Sequence, residues 1–235
     1  MNKTIVISGV TSGVGKALSK RFIDLNWEVY GLGRDRKKLS GLSNSFGSNF
    51  IPLEVDLMES DSIKSAFKYI ELKANNLDVL VNNAASFIMK EFVKSSYKEI
   101  NTIIDTNLKG LIYVTLEALK IMKNNSNPSR IINIGSVAST HGIENQAIYC
   151  ASKYGLDGFS EALNQEIIKD NISITTLFPG GIDTPLWNKE NPYPGKDTSK
   201  LLSAKDLVSM IEMISSLESN VILKNMTIFP SNEWH

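Results

Sequence analysis

Short apolar segments rich in β-branched residues alternate along this chain with longer segments of helical period. Strands buried on both faces are apolar throughout, and helices usually connect the strands of a parallel sheet. The pattern predicts strands at Thr4–Ser8, Glu28–Leu32, Asn49–Val55, Val79–Val81, Arg130–Ile134, Ser173–Phe178 and Val221–Phe229. It predicts helices at Gly13–Leu25, near Arg36–Leu42, and at Ser60–Leu72, Tyr97–Lys123, Ile148–Lys169 and Ala204–Ser216. We therefore expect an α/β fold with a seven-stranded parallel sheet and helices on both faces.

The length of the chain favours one domain. Its 235 residues, 42% of them hydrophobic, suffice for one well-buried core and are few for two domains. Prolines, glycines, asparagines and lysines replace periodicity in the segment 181–200, which predicts a long loop or a lid over a substrate site. We expect a single domain over residues 1–235.

Charge, cysteine and histidine content argue against several classes of function. The 25 basic and 25 acidic residues balance, so no net field favours nucleic acid or an anionic membrane. Cys150 is the single cysteine, and no apolar run approaches the roughly 18 to 20 residues that span a bilayer. His141 has no second ligand at a metal-binding spacing. We expect a cytoplasmic protein without a metal, nucleic-acid or membrane partner.

A glycine-rich loop follows the first predicted strand and opens the first predicted helix. Glycines permit a tight turn and close approach of a phosphate, while free amides at a helix N-terminus favour negative charge. Taken alone, such a loop is as readily an ordinary strand-to-helix turn. In its context it predicts a site for a dinucleotide pyrophosphate, formed by Gly9, Thr11, Ser12, Gly13, Val14 and Gly15.

Tyr149 and Lys153 are four residues apart in a predicted helix, so their side chains share one face. An ammonium there is expected to lower the phenol pKa from its reference of about 10 and tune it for proton transfer. Tyr69 and Lys73 have the same spacing, but only Tyr149 has a serine thirteen residues upstream, Ser136. The three residues predict a site that protonates a carbonyl oxygen.

These segments resemble the short-chain dehydrogenase/reductase family over nearly the whole chain. The glycine loop is similar to the family's Thr-Gly-x-x-x-Gly-x-Gly, with Ser8 where threonine is usual, and Asn82 to Ala85 resemble its Asn-Asn-Ala-Gly, with Ala85 for glycine. Further matches are Asp56-Leu57, Asn107, the set Ser136, Tyr149 and Lys153, and the segment Pro179 to Thr184. The resemblance implies a Rossmann-like, doubly wound fold and an oxidoreductase with a nicotinamide cofactor.

The resemblance also implies a role for each matched residue. Tyr149 is expected to be the general acid and base, Ser136 to hold the carbonyl oxygen, and Lys153 to contact the nicotinamide ribose. Asn107 is expected to interrupt its helix and anchor a water leading to Lys153. Tyr149 is also implied as a cofactor contact, and the other implied contacts are Asp56, Leu57, Asn83, Ala84, Pro179, Gly180, Ile182 and Thr184.

The end of the second predicted strand indicates which cofactor is preferred. Dinucleotide sites place an acidic residue against the ribose hydroxyls of NAD, or a basic one against the 2′-phosphate of NADP. By resemblance, Gly33 takes the place of the NAD-selecting aspartate and Arg34 that of the arginine in NADP enzymes. Arg34 can offer a planar fork to a phosphate. We expect NADP(H), with NAD(H) as the alternative if Arg34 only stacks on adenine or lies in solvent.

Substrate and assembly are less closely defined. The segment after Asn83, the loop 137–146 and the segment 181–200 are expected to form an apolar and aromatic pocket for a ketone or secondary alcohol.

The predicted helices carry more apolar residues than one contact with the sheet requires, at Ile103–Met122 and Leu156–Ile167. Simple burial within the monomer would also explain them. The corresponding helices of the family form a dimer interface, so we expect a homodimer or homotetramer.

Two other classes of function stay open at this point. A non-catalytic nucleotide sensor or scaffold could use the same fold, but such a protein has no need for the phenol of Tyr149. Nucleotide-sugar epimerases and dehydratases share Tyr-x-x-x-Lys, but they usually space their glycines differently and carry a longer C-terminal substrate domain. The residues favour the oxidoreductase.

Overall fold

The computed structural model describes residues 2–74, 76–195 and 197–233. Seven strands form one sheet: β1 Thr4–Ser8, β2 Glu28–Gly33, β3 Phe50–Glu54, β4 Val79–Asn82, β5 Ser129–Ile134, β6 Ile172–Pro179 and β7 Asn225–Ile228. The order is β3-β2-β1-β4-β5-β6-β7, and every adjacent pair is parallel. The strand order reverses between β1 and β4, as in doubly wound sheets. The predicted Rossmann-like α/β fold is confirmed.

Helices cover both faces of the sheet. On one face lie α1 Gly13–Asp24, α2 Arg36–Phe46 and α7 Ala204–Ser216; on the other lie α3 Ser60–Lys73, α5 Leu111–Met122 and α6 Ala147–Ile167, with α4 Tyr97–Ile104 packed on α6. Apolar residues at helical spacing face the sheet, for example Leu18 and Phe22 of α1 and Ile63 and Ile70 of α3. Within the described residues, no helix is both long and apolar enough to cross a membrane.

The long helix predicted at Tyr97–Lys123 is interrupted. Residues Asp105–Gly110 form a wide π-helical turn between α4 and α5. Gly110 lies in this turn against the loop after β3, where an added Cβ would approach the Leu57 carbonyl oxygen to 2.6 Å. π turns are frequent at functional sites, and this one carries the buried Asn107.

The prediction that the last strand begins at Val221 is wrong. The buried guanidinium of Arg130 donates hydrogen bonds of 2.8, 2.8 and 3.2 Å to the carbonyl oxygens of Leu217, Glu218 and Val221. Because a side chain satisfies these carbonyls, the segment after α7 is a loop. Pairing with β6 begins only at Asn225.

Candidate active site

A cleft of about 820 Å³ lies where β1 and β4 are neighbours. Ligand sites of doubly wound sheets form at this reversal of strand order, and cofactor pockets usually measure about 300–1,000 Å³. The cleft is lined by most of the residues expected to bind a cofactor: Gly9, Thr11, Ser12, Gly13, Val14, Arg34, Asp56, Leu57, Asn83, Ala84, Tyr149, Lys153, Pro179, Gly180, Ile182 and Thr184.

The glycine loop forms a narrow cradle at one side of the cleft. Gly9 and Gly13 have positive φ angles of 76° and 51°, which glycine adopts without strain. A Cβ on Gly9 would lie 2.8 Å from the Cα of Ala84. Gly15 does not line the cleft; it lies behind the loop, where a Cβ would collide with the Gly9 carbonyl. Gly15 therefore lets α1 pack closely on the loop.

Ser8 fixes the loop to the end of β4. Its hydroxyl accepts hydrogen bonds from the amides of Asn83 and Ala84, at 3.0 and 3.1 Å. The Asn83 side chain donates to the Ser8 carbonyl at 2.9 Å. These contacts need only a hydroxyl, which explains why serine can stand where the family usually has threonine.

Ser136, Tyr149 and Lys153 come together beyond the end of β5. Tyr149 and Lys153 lie one turn apart in α6 and are only 8% and 2% exposed. The Ser136 side chain lies close enough to Tyr149 to lower the pKa of its phenol. Lys153 Nζ donates to the Ile134 carbonyl at 2.7 Å and lies 5.6 Å from the centroid of the Tyr149 ring. The structure thus places a phenol, a hydroxyl and an amine at one point of the cleft.

The pKa of Tyr149 is raised, not lowered as expected from the sequence. Burial raises the pKa of Tyr149 to about 12, against a smaller opposing effect of the nearby Ser136 hydroxyl. Burial also lowers the pKa of Lys153 to about 8. The expectation fails because both groups lose their hydration, while the Lys153 ammonium bonds a carbonyl oxygen and not the phenol. Tyr149 is therefore protonated at neutral pH.

Asn107 lies behind the cleft, not in its lining. Its Oδ1 accepts from the Ser86 amide at 2.7 Å, and its Nδ2 donates to the Ser86 carbonyl at 2.8 Å and to Ser152 Oγ at 3.2 Å. Ser152 in turn donates to the Tyr149 carbonyl at 2.7 Å. Asn107 therefore joins the segment after β4 to the helix that carries Tyr149. The water leading from it to Lys153 stays a prediction.

The far end of the cleft carries two cations. Arg34 follows β2, and Lys38, in the first turn of α2, lines the same end. Asp35 lines this end too; it caps α2 by accepting from the Lys38 amide at 3.0 Å, and its carboxylate lies 3.7 Å from Lys38 Nζ. A Cβ on Gly33 would lie 2.8 Å from Thr11 Cγ2, so the loop leaves little space for a side chain at position 33. Lys38 was not predicted as a cleft residue; its place in the first turn of the helix predicted near Arg36–Leu42, just after Arg34, was a usable signal.

An aromatic wall rises beside Tyr149. The Phe87 ring packs edge-on against Tyr149 and Trp187, with centroids 4.9 and 5.2 Å away, and Trp187 packs against Tyr193 at 5.2 Å. Trp187 and Tyr193 belong to the predicted lid, of which Lys196 lies outside the described residues. The buried side chain of Asn191 accepts from the Met89 amide at 2.9 Å, which fastens the lid to the segment after β4.

Glu233 also lines the cleft, although the sequence did not predict it as a site residue. Its carboxylate accepts hydrogen bonds from the Gly181 amide and the Tyr193 hydroxyl, both at 2.7 Å. Burial, followed by the bond to Glu233, raises the pKa of Tyr193 to about 12. No local pattern could have revealed these contacts, because the partners lie 52 and 40 residues away along the chain.

The site fits a dinucleotide. Its glycine cradle admits no side chain at Gly9, α1 begins with no acidic residue in its first turn, and Arg34 and Lys38 stand at the opposite end. Amides and cations so placed bind phosphates. In the part of the chain that the structure describes, His, Cys, Asp and Glu side chains form no group of three or more suited to a metal.

Comparison with known proteins agrees with this geometry. The family described as short chain dehydrogenase matches residues 3–194. A serine 3-dehydrogenase of Rhizobium radiobacter is 28% identical over 99% of this chain and 96% of its own, and an NADP-dependent 3-hydroxy acid dehydrogenase of Shigella flexneri is 27% identical over 96% and 94%. A serine dehydrogenase solved in its closed form with NADP+ superposes with a TM-score of 0.89, at 26% identity over 99% and 96% of the two chains. The chain therefore belongs to the short chain dehydrogenase family of oxidoreductases.

Proposed function

We propose that this protein is an NADP(H)-dependent oxidoreductase that interconverts a carbonyl compound and a secondary alcohol. The observation that carries the proposal is the position of the buried Tyr149, with Ser136 and Lys153, in the same cleft as the glycine cradle. The bound nicotinamide cofactor supplies or accepts a hydride. The residues of the chain bind, orient and transfer the proton.

The proton resides on the Tyr149 hydroxyl. In reduction Tyr149 gives this proton to the carbonyl oxygen, and in oxidation the phenolate takes it back from the alcohol. Ser136 orients the same oxygen by a hydrogen bond. Lys153 is charged below its pKa of about 8 and stabilises the phenolate that forms beside it. A positioned acid of this kind contributes about 10²- to 10⁴-fold in rate.

The preference for NADP(H) rests on the far end of the cleft. Arg34 and Lys38 line this end, where Lys38 also pairs with Asp35 at 3.7 Å, and position 33 carries glycine in place of an NAD-selecting carboxylate. One of the relatives is named as NADP-dependent, and one structural neighbour holds NADP+. The two cations thus suit a 2′-phosphate.

The cofactor preference is tested by comparing kcat/KM for NADPH and NADH. We expect NADPH to be preferred, Arg34→Asp to reverse or abolish the preference, and Lys38→Ala to weaken it by about tenfold. Lys37→Ala, which changes a neighbouring lysine outside the cleft, is the matched control. Equal efficiencies with the two cofactors would contradict the proposal.

The proton donor is tested with a panel of ketones and secondary alcohols, followed by the absorbance of the reduced cofactor. Tyr149→Phe is expected to lower kcat about 10²- to 10⁴-fold on any substrate found. Cofactor affinity should survive, because the cradle and Arg34 lie elsewhere in the cleft. Wild-type turnover in the variant would show that Tyr149 is not the donor, whereas loss of both properties would indicate misfolding.

A further inference from the structure

The substrate end of the cleft combines a fixed carboxylate with an aromatic wall. Glu233 approaches from the C-terminal tail, and its carboxylate is held by the Gly181 amide and the Tyr193 hydroxyl, both at 2.7 Å. Both partners are donors, so they leave the negative charge in place. A carboxylate has about four acceptor sites, and these two bonds use only two of them.

A chain of three aromatic rings begins at Tyr193, whose hydroxyl bonds this carboxylate. Phe87, Trp187 and Tyr193 form one chain of edge-to-face contacts with centroid separations of 5.2 Å, and Phe87 also contacts the proposed proton donor Tyr149. All four rings and Glu233 line the cleft. Ring faces attract cations, and aromatic side chains are used to recognise ammonium ligands.

The charged side chains that line the cleft differ between its two ends. At the end suited to phosphates, the cations Arg34 and Lys38 share the lining with the carboxylates of Asp35 and Asp56. At the other end, Glu233 is the one charged side chain among the described lining residues of the lid and the C-terminal tail. A carboxylate in this position attracts a cation and repels an anion.

We infer that the substrate is a carbonyl compound or alcohol that carries an ammonium group, held between the Glu233 carboxylate and the rings of Phe87, Trp187 and Tyr193. Glu233 is then a specificity-determining residue, since its charge opposes substrates that carry a carboxylate at the same position. This inference rests on the proposed function for its turnover test, but the binding site that it assigns can be measured without turnover.

The turnover test uses three ketones of one shape and different charge: para-acetylbenzylamine, para-acetylbenzyl alcohol and para-acetylbenzoate, each with NADPH. We expect kcat/KM for the amine to exceed that for the acid by about tenfold or more, as one partly screened charge pair predicts. Glu233→Gln should reduce this ratio at least about fivefold by removing the charge at constant shape. Glu190→Gln, an exposed lid carboxylate outside the cleft, should leave it unchanged.

A second variant distinguishes the effect of the Glu233 charge from the effect of moving the lid. Tyr193→Phe removes the hydroxyl that bonds Glu233 but keeps the ring and the carboxylate, so the preference for the amine should persist. If Tyr193→Phe abolishes the preference as fully as Glu233→Gln, displacement of the lid and not the charge is responsible, and the inference is wrong. It is equally overturned if the wild-type protein shows no preference for the amine over the acid.

Binding provides the readout that is independent of catalysis. Benzylammonium should quench the fluorescence of Trp187 in the NADPH-loaded protein at lower concentration than benzoate does, with Trp187→Phe as the blank. If the ketones are not reduced but benzylammonium binds in a Glu233-dependent manner, the ammonium site stands and the proposed reaction fails. If the ketones are reduced without regard to charge, the reaction stands and the ammonium site fails.

Discussion

Tyr149 and Lys153 owe their protonation states to burial. The phenol has a pKa of about 12 and keeps its proton at neutral pH, while the amine has a pKa of about 8 and is charged only below it. Reduction needs a protonated phenol and a cation to stabilise the phenolate that follows. Both conditions hold together only below about pH 8, which gives the proposed reaction a defined direction of pH dependence.

We expect kcat/KM for carbonyl reduction to fall as the pH rises above about 8, because Lys153 then loses its charge. This parameter reports the free enzyme, whose groups these pKa values describe. Arginine keeps its charge at all these pH values. The remaining kcat/KM of Lys153→Arg should therefore no longer fall as the pH rises above about 8. A pH–rate profile from pH 6 to 10 measures both. If kcat/KM of Lys153→Arg still falls above about pH 8, a group other than Lys153 is responsible for the fall.

At this scale the sequence selected the side chains that the structure brings together, but not the direction of their pKa shifts. The thirteen-residue separation of Ser136 and Tyr149 and the four-residue separation of Lys153 were sufficient to select them. The direction of the Tyr149 pKa shift depends on the water that folding removes and on the Ile134 carbonyl that captures the ammonium. Neither can be read from spacing, and the contacts of Glu233 span too much of the chain to leave a local pattern.

The π turn between α4 and α5 places Asn107 where it joins two elements. Asn107 is 1% exposed and makes three hydrogen bonds to Ser86 and Ser152. We expect it to act on Tyr149 through the bond to Ser152, as a positioning residue.

Asn107→Ala is expected to lower the free energy of unfolding by about 1–3 kcal/mol, because it leaves buried donors and acceptors without partners. It should also lower kcat more than it raises KM, since Tyr149 moves with α6. Denaturant unfolding and steady-state kinetics measure the two effects. Asn101→Ala, an exposed position of α4, is the control. A change in stability without any loss of kcat would limit Asn107 to a structural role.

Arg130 joins the end of α7 to β5. Its guanidinium serves three carbonyl oxygens after the helix, and it is 7% exposed. Arg130→Met should lower the free energy of unfolding by about 2–4 kcal/mol, because those carbonyls lose a charged donor. Lys224→Met, which breaks an exposed ion pair with Glu161 in the same segment, should change it little. Equal effects in thermal or denaturant unfolding would contradict this account.

The element boundaries show where periodicity stops being informative. Hydrophobic period identified all seven strands, yet it extended the last one back to Val221, because apolar residues there look the same in a strand and in a packed loop. The bonds from Arg130, about 90 residues earlier in the chain, decide the boundary. The same limit hid the extent of the π turn, whose residues retain a helical pattern.

Exposed apolar side chains on α5 and α6 underlie the proposal that copies of this chain associate. Leu116 and Tyr154 are 51% and 46% exposed. We expect sedimentation to give a mass of two or four chains of 26.0 kDa, and Leu116→Glu with Tyr154→Glu to shift it toward one. Leu72→Glu, at a 75% exposed position of α3, should not change it. A wild-type monomer would refute the association.

The central place of β1 affects how the protein is made. β2 and β3 flank one side of β1 and are complete by Glu54, but β4, its partner on the other side, begins only at Val79. During synthesis on the ribosome, the edge of β1 that pairs with β4 therefore has no partner until residues Val79–Asn82 have emerged. Free strand edges recruit other chains, so this early nascent segment is the species that a chaperone has most reason to shield.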